Sequence, residues 1–172
     1  MYDMNLELVR QLSRPVAALH EKALKLVEDE RGLNKQFLDS SVYLLVIIQL
    51  RDANEATRWL QSIGLTYGKI EQFIMYEFDS RERPKKKRDA WGKLQPPPSG
   101  LTQYTAAAQG ALNRMTTIGN TPEYAAEVLK AVISSDESRT VNKIFRSVGL
   151  NMPDVRHIWW QTTGADRNRR FL

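Results

Sequence analysis

The chain has 172 residues, of which 42% are hydrophobic and 26% are charged. This composition is typical of one globular domain or of two small half-domains that share a core. The absence of cysteine excludes disulfides, a thiol nucleophile and a thiolate metal site. No uncharged apolar run approaches the roughly 18 residues that a membrane span requires. The first residues lack the basic and apolar regions of a secretory signal, so the sequence predicts a cytoplasmic or organelle-interior location.

The net charge is +5, and the excess of basic residues is concentrated in two places. The basic patch consists of Arg81, Arg83, Lys85, Lys86, Lys87 and Arg88, and the tail contains Arg167, Arg169 and Arg170. Such clusters are typical either of a solvated linker and tail or of a contact with nucleic acid or an acidic protein. Only Trp91, which lies beyond the run, could stack on a base, so the pattern disfavours nucleic acid.

Composition divides the chain into four segments. Residues 1–78 and 101–160 carry helical patterning. Residues 79–100 hold the basic run and then Pro96–Gly100, which is typical of an extended linker. Residues 161–172 are polar and basic, and this composition predicts a flexible tail.

The first segment contains several predicted helices. Apolar residues recur at helical spacing from Leu19 to Val27, and Gly32 marks a stop. A second helix is expected after Asp39, Ser40 and Ser41, which are good capping residues. It runs through residues 42–48, where the abundance of valine and isoleucine leaves a buried strand as the alternative. A third helix over 54–63 ends at Gly64, and a fourth begins near Thr66 or Gly68.

An internal repeat is the decisive feature of the sequence. The segment Arg58–Leu65 matches Lys143–Leu150 at an offset of 85 positions, with identical serine, glycine and leucine residues near the end of each segment. Upstream, Ala23-Leu24 matches Ala111-Leu112 at an offset of 88 positions. Two matches in the same order predict two copies of one helical unit, which pack through their apolar faces.

The doubled pattern resembles the Clp N-terminal repeat at the front of the ClpA, ClpB and ClpC unfoldases. Ala23–Leu45 is similar to the family's alanine- and leucine-rich first helix, followed by its Thr-Glu-His-Leu-Leu helix start. Thr121–Tyr124 resembles the second such start, and Ser62–Leu65 and Ser147–Leu150 resemble the family's Leu-Gly elbow. The resemblance covers about residues 8–158. It implies an all-α fold of two tandem, pseudo-symmetric four-helix repeats in one double Clp-N-type domain.

The resemblance also implies a peptide-binding groove between the repeats. Five positions match the lining of that groove, and serine or threonine there would serve equally as a helix cap. They are Ser40, Ser41, Thr121, Glu123 and Glu127.

Two departures from the family pattern bear on function. Val42 and Tyr43 stand where glutamate and histidine are usual in the first repeat. In ClpC-type domains that glutamate is associated with binding phosphoarginine-tagged substrates, so only Glu123, or Glu127 under a shifted alignment, offers a comparable carboxylate. The chain also lacks the Gly-x-x-x-x-Gly-Lys motif that cradles nucleotide phosphates, which predicts no ATPase activity in this chain.

The remaining candidate residues favour structural roles. His20 and His157 have no carboxylate or histidine at ligand spacing, so they are expected to be surface or core-edge residues, with no metal and no cofactor. No serine lies in a Gly-x-Ser-x-Gly turn, and a non-enzymatic protein is expected. Trp59 is predicted to be core. Of the adjacent Trp159 and Trp160, one is expected to pack and the other to anchor a partner.

The sequence therefore favours a non-catalytic recognition or docking module of the Clp protein unfolding and degradation system. Its expected partners are Clp unfoldase or protease subunits, substrates or adaptors. Its expected location is the cytoplasm or, as for the ClpT-like accessory proteins, the plastid stroma. Two alternatives stay open: a basic helical nucleic-acid-associated protein, and a Clp-domain mimic that sequesters small peptides or adaptors.

Overall fold

Helices make up most of the structure, a computed structural model that describes residues 4–29, 33, 37–52, 54–82 and 102–161. The first half contains α1 (Met4–Arg10), α2 (Arg14–Glu28), β1 (Phe37–Leu38), α3 (Ser41–Ile48), α4 (Glu55–Ser62) and α5 (Tyr67–Glu82). The second half contains β2 (Gln103–Tyr104), α6 (Ala106–Met115), α7 (Tyr124–Ile133), α8 (Arg139–Arg146) and α9 (Met152–Trp160). The all-α prediction is confirmed, and the two strands are each only two residues long.

Helix α2 forms where the apolar spacing predicts it. Val16, Leu19, Ala23 and Val27 recur every three or four residues and are all buried. Pro15 lies in the first turn, where its missing N–H breaks no intrahelical hydrogen bond. The helix ends at Glu28, and the predicted stop at Gly32 lies outside the described residues.

Helix α3 is the centre of the fold. Each of its residues is buried, with Ile48 the most exposed at 6%. It packs against α2, α4 and α5 from the first half and against α7 from the second. A helix that is apolar on every side belongs inside a protein. The helical prediction for residues 42–48 is therefore confirmed, and the strand alternative is wrong.

The two short strands connect the halves of the chain. β1 and β2 are parallel, with Phe37 opposite Gln103 and Leu38 opposite Tyr104. The N–H of Thr105 extends this pairing by donating to the carbonyl of Leu38 at 3.0 Å. The segments that precede α3 and α6 are thereby held side by side.

Helices α4 and α8 end in the same local structure. Gly64 has φ +98° and Gly149 has φ +82°, a left-handed conformation that favours glycine. The N–H of the next residue donates to a carbonyl five positions earlier, at 3.1 Å for Leu65 and 3.0 Å for Leu150. Both ends are therefore Schellman-type caps, and they lie 85 positions apart.

The helices that follow these two caps also begin alike. The side chain of Thr66 accepts a hydrogen bond from a backbone N–H three residues later at 3.2 Å, and that of Asn151 does the same at 2.9 Å. Ile70 on α5 and Val155 on α9 are fully buried. Each pair keeps the offset of 85 positions.

Two segments differ from the sequence-based boundaries or lie outside the description. Helix α5 continues through Glu82, past the predicted start of the linker at Asp79, because the residues there are compatible with a helix. The rest of the linker and the predicted tail after residue 161 lie outside the described residues. None of the helices in the described ranges combines the length and apolar character needed to cross a bilayer.

Helix α1 has no counterpart among the sequence-based predictions. It packs against α6, so it covers the second half of the chain although it lies at the start of the first. The turn after it is held by Ser13, whose hydroxyl donates to the carbonyl of Gly119 at 3.1 Å.

Candidate functional site

A buried carboxylate, that of Asp39, lies where the two halves of the chain meet. Asp39 is only 2% exposed. Its Oδ2 accepts from the backbone N–H of Ser41 at 3.2 Å, from the Ser41 hydroxyl at 2.8 Å and from the Ser138 hydroxyl at 2.6 Å. Its Oδ1 accepts from the Thr105 hydroxyl at 2.8 Å. One carboxylate thus receives hydrogen bonds from three separate segments.

Each partner of Asp39 lies at the start of a helix. Ser41 is the first residue of α3. Thr105 caps α6 and Ser138 caps α8, since each hydroxyl also accepts a backbone N–H from the first turn at 3.1 Å. Helix N-termini carry partial positive charge, which stabilises a nearby anion. The Asp39 network therefore fixes the positions of three helices relative to one another.

A second buried network is built around His20 on α2. The Nδ1 of His20 lies 2.9 Å from the hydroxyl of Tyr43 on α3, and its Nε2 lies 3.0 Å from the hydroxyl of Tyr104 in β2. His20 is 1% exposed, and this burial lowers its pKa from 6.5 to about 4. The ring is therefore neutral at pH 7, so one tyrosine hydroxyl donates to it and the other accepts from it.

Burial also changes the pKa of Tyr43 on α3. Tyr43 is fully buried, and desolvation, followed by the effect of Tyr104, raises the pKa of Tyr43 well above its usual value. The expectation that His20 is a surface or core-edge residue is wrong, because the two tyrosines satisfy both of its ring nitrogens inside the protein. His157 is exposed, as expected.

Two of the predicted groove residues, Ser40 and Ser41, are buried. Their exposed fractions are 3% and 0%. The Ser41 hydroxyl donates to Asp39, and the first N–H of α3 is capped by Asp39. Ser40 makes no side-chain capping hydrogen bond.

The other predicted groove residues lie around the start of α7. Thr121 is partly buried, and its hydroxyl accepts the N–H of Glu123 at 3.2 Å. Glu123 is exposed, and Glu127 one turn later is partly buried. These positions place a carboxylate at the surface.

The two sets of groove residues lie at opposite ends of the α3–α7 pair. Asp52, just after α3, accepts from the hydroxyl of Tyr124, the first residue of α7, at 3.3 Å. At the other end, the start of α3 is bonded through Asp39 to Ser138, which follows α7. Helices α3 and α7 therefore run in opposite directions, and the structure does not bring the two sets together. Contact of either set with a partner stays a prediction.

Trp59 and Trp159 form part of an aromatic cluster. Trp59 is 6% exposed, and its ring centroid lies 6.2 Å from that of Phe145 and 4.9 Å from that of Trp159. Trp159 is 4% exposed, so this residue of the adjacent pair is packed in the core. The side chain of Trp160 lies outside the described part of the structure.

The basic patch can be located only at its first residue. Arg81 lies in the last turn of α5, and Arg83, Lys85, Lys86, Lys87 and Arg88 lie outside the described residues. Within the described ranges, no group of three or more histidine, aspartate or glutamate side chains is arranged to hold a metal ion.

Comparisons with known proteins leave the chain without an assigned family. No protein-family model matches it, and the search of curated proteins gives no significant match.

Proposed function

We propose that this chain is a non-catalytic recognition module, built from two Clp-type repeats, that docks onto components of a Clp protein unfolding and degradation system. The observation that carries the proposal is the pair of matching helix ends at Gly64 and Gly149. They recur at the offset found in the sequence, and each is followed by a helix with a matching start.

The match extends to side chains at the same offset. The hydroxyl of Ser62 donates to a carbonyl three residues earlier at 2.7 Å, and that of Ser147 does so at 2.6 Å. On the helices that follow, Ile74 and Trp159 occupy equivalent buried positions. These pairs support α2–α5 and α6–α9 as the two repeats, with α1 as an addition.

The central helix pair supports a pseudo-twofold arrangement. Helices α3 and α7 are the apolar helices of their respective halves, and they pack against each other in opposite directions. One hydrophobic cluster extends from Val16 to Trp159 through both halves. Two related units that share one core are what the resemblance to the Clp N-terminal repeat implies.

The buried networks favour recognition over catalysis. His20, whose pKa is lowered to about 4 by burial, is enclosed by two tyrosines and holds α2, α3 and β2 together. Asp39 is likewise enclosed among its helix caps. Groups in these positions stabilise a scaffold, and partners would be bound on its outer surface.

The first repeat offers no carboxylate at the position associated with phosphoarginine in the family. Val42 and Tyr43 occupy the equivalent positions, and both are fully buried. Glu123 and Glu127 are the carboxylates at the corresponding helix start of the second repeat. We infer that docking of a protein surface or peptide, centred on the second repeat, is the principal activity.

The equivalence of the two glycines can be tested through stability. Gly64→Ala and Gly149→Ala should each lower the free energy of unfolding by about 1–2 kcal/mol, because the added Cβ opposes the left-handed conformation. A Cβ at Gly64 would lie 3.6 Å from Cγ1 of Val148, an ordinary contact, so backbone strain should dominate the effect. Urea denaturation of each variant gives the measurement.

Gly68 provides the matched control for these variants. It lies in the first turn of α5, and an added Cβ meets nothing within 4 Å. Gly68→Ala should leave stability unchanged or raise it by up to about 1 kcal/mol. The proposed equivalence of the helix ends would be wrong if alanine were tolerated at one of Gly64 and Gly149 but not at the other.

The docking function is tested by affinity capture with the purified chain as bait. The expected result is enrichment of Clp unfoldase or protease subunits, identified by mass spectrometry, and reduced enrichment with the Glu123→Ala/Glu127→Ala double variant. Asp154→Ala, an exposed acidic residue on α9, is the matched control and should behave like the unaltered chain. A folded bait that enriches no Clp component would overturn the proposed function.

A further inference from the structure

Helix α8 has one apolar face and one strongly basic face. Ile144 and Phe145 are fully buried on the inner side. Arg139, Lys143 and Arg146 are all exposed, and their spacing of four and three residues places them along one side of the helix. At 1.5 Å per residue they form a stripe about 10 Å long.

Tyr76 on α5 lies beside this stripe and is 66% exposed. The Nζ of Lys143 lies 5.4 Å from the centroid of its ring and 3.1 Å from Oε2 of Glu77. Glu77 is buried at 7% exposure, so this ion pair positions Lys143 against the tyrosine. The stripe is thereby bordered by a large, partly apolar side chain with a polar tip.

The stripe keeps a net positive charge. Glu77 neutralises Lys143, but neither Arg139 nor Arg146 forms an ion pair with any residue in the part of the chain that the structure describes. Two guanidinium groups are thus available on one exposed helix face. Guanidinium groups bind carboxylates through two parallel hydrogen bonds, which gives them geometric specificity.

The charge is particular to α8. At the offset of 85 positions, the residues on α4 and at its N-cap that correspond to the stripe are Asn54, Arg58 and Gln61, of which only one is charged. The buried side of the helix is uncharged in both halves and consists of apolar residues and one threonine, so packing does not require the basic residues of α8. These basic residues lie on the outer surface, exposed to a binding partner.

We propose that the outer face of α8, formed by Arg139, Lys143 and Arg146 and bordered by Tyr76, binds an acidic peptide segment. The two available guanidinium groups receive carboxylates, and the exposed part of the Tyr76 ring packs against an apolar side chain of the peptide. An extended peptide rises about 3.3 Å per residue, so the stripe spans three to four residues. This surface is separate from the groove residues, and its assignment does not depend on membership of the Clp family.

The geometry favours an acidic peptide over nucleic acid. Binding of a single strand draws on several aromatic side chains on which successive bases stack. At the stripe the exposed aromatic residue is Tyr76, and Lys143 already lies over its ring. A short stripe of guanidinium groups beside one aromatic ring matches a few carboxylates and one apolar anchor.

The test is fluorescence anisotropy with a labelled peptide of about ten residues, rich in glutamate and containing one leucine, since that length exceeds the stripe. Arg139→Glu/Arg146→Glu should weaken binding by about tenfold or more, because attraction becomes repulsion at two contacts. Raising the salt concentration from about 0.05 M to 0.2 M should weaken binding to the unaltered chain, as expected for exposed charges.

Arg51→Glu/Arg58→Glu is the matched control, because it makes the same change in net charge at two exposed residues of the first half. Its expected effect is less than about twofold, from long-range electrostatics alone. Circular dichroism of both double variants establishes that they are folded. Equal weakening by the two variants, or loss of binding only when the arginines and lysines of residues 83–88 are neutralised, would overturn the assignment to α8.

A single-stranded oligonucleotide of similar length serves as the competing probe. Tighter binding of the oligonucleotide than of the peptide, with the same loss in Arg139→Glu/Arg146→Glu, would replace an acidic peptide by nucleic acid as the occupant. Affinity capture of Clp components is a separate measurement with separate variants, so either proposal can fail without the other.

Discussion

Asp39→Ala is expected to lower the free energy of unfolding by about 3–5 kcal/mol, one of the two largest effects among the variants considered, because it removes the acceptor of a buried network. The carboxylate receives hydrogen bonds from Ser41, Thr105 and Ser138. Without it, the buried hydroxyl groups of Ser41 and Ser138, the partly buried hydroxyl of Thr105 and the first N–H of α3 lose their acceptor. Urea denaturation of the variant and the unaltered chain measures the difference.

Variants of the hydroxyl partners distinguish the effect of losing the Asp39 carboxylate from the effect of losing one of its hydrogen bonds. Ser138→Ala and Thr105→Ala should each cost about 1–2 kcal/mol, since each removes one helix cap and one hydrogen bond to Asp39. The double variant Asp39→Ala/Ser138→Ala should be less destabilised than the sum of the single variants, because the two residues share a contact. Two outcomes would show that the carboxylate does not hold the three helix starts together. One is strict additivity of the changes in unfolding free energy. The other is an effect of Asp39→Ala no larger than that of losing one helix cap.

His20 is expected to make stability depend on pH between about 6.5 and 4. Its pKa is about 4 in the folded protein, below the value of 6.5 in an unfolded chain. Between these values the unfolded state binds a proton that the folded state does not, so stability falls as the pH falls. A pKa shift of this size contributes about 3 kcal/mol to the free energy of unfolding. This contribution is present above pH 6.5 and is lost progressively as the pH falls towards 4.

His20→Gln isolates this contribution, because an amide can donate and accept a hydrogen bond but does not titrate in this range. The variant should be less stable than the unaltered chain at pH 7, and the difference should shrink as the pH is lowered towards 4. Carboxylates titrate in both proteins, so their contribution largely cancels in the difference. His157→Gln, the same exchange at an exposed histidine, is the matched control for the substitution itself. A constant difference for His20→Gln would contradict the assignment of a neutral, buried imidazole.

Local patterns in the sequence predicted the elements that depend on local physics. The spacing of Leu19, Ala23 and Val27 predicts α2 because a helix that lies on a core needs one continuous apolar side. Gly64 predicts the end of α4 because a left-handed residue is required there. These features depend on neighbours within a few positions, which a sequence displays directly.

The buried networks could not be predicted in the same way. Asp39 reads locally as a helix cap, but its partners Thr105 and Ser138 lie 66 and 99 positions away. His20 carried a usable signal, since it lies four residues after Val16 and three before Ala23, on the buried side of α2. Its partner Tyr104 is 84 positions away, and only the fold brings them together.

The predicted groove residues show the same division. A helix start at Ser41 followed from the capping pattern. The carboxylate that accepts from its hydroxyl also accepts from Ser138, a distant partner that local pattern does not specify. The basic stripe on α8 could have been found from the spacing of Arg139, Lys143 and Arg146. The run at residues 81–88 is denser in basic residues and dominates the charge pattern of the sequence.

The enclosure of α3 by both halves has a consequence for how the protein folds during its synthesis. Helix α7 ends at Ile133, so it is synthesised well after α3. Until then, the apolar surface of α3 that contacts α7 in the native protein has no cover. The first half therefore cannot complete its core alone, and the two halves are expected to acquire their native packing in one cooperative transition. The pairing of β1 with β2 closes the long loop between them in the same step, which makes this rearrangement slow compared with formation of the individual helices.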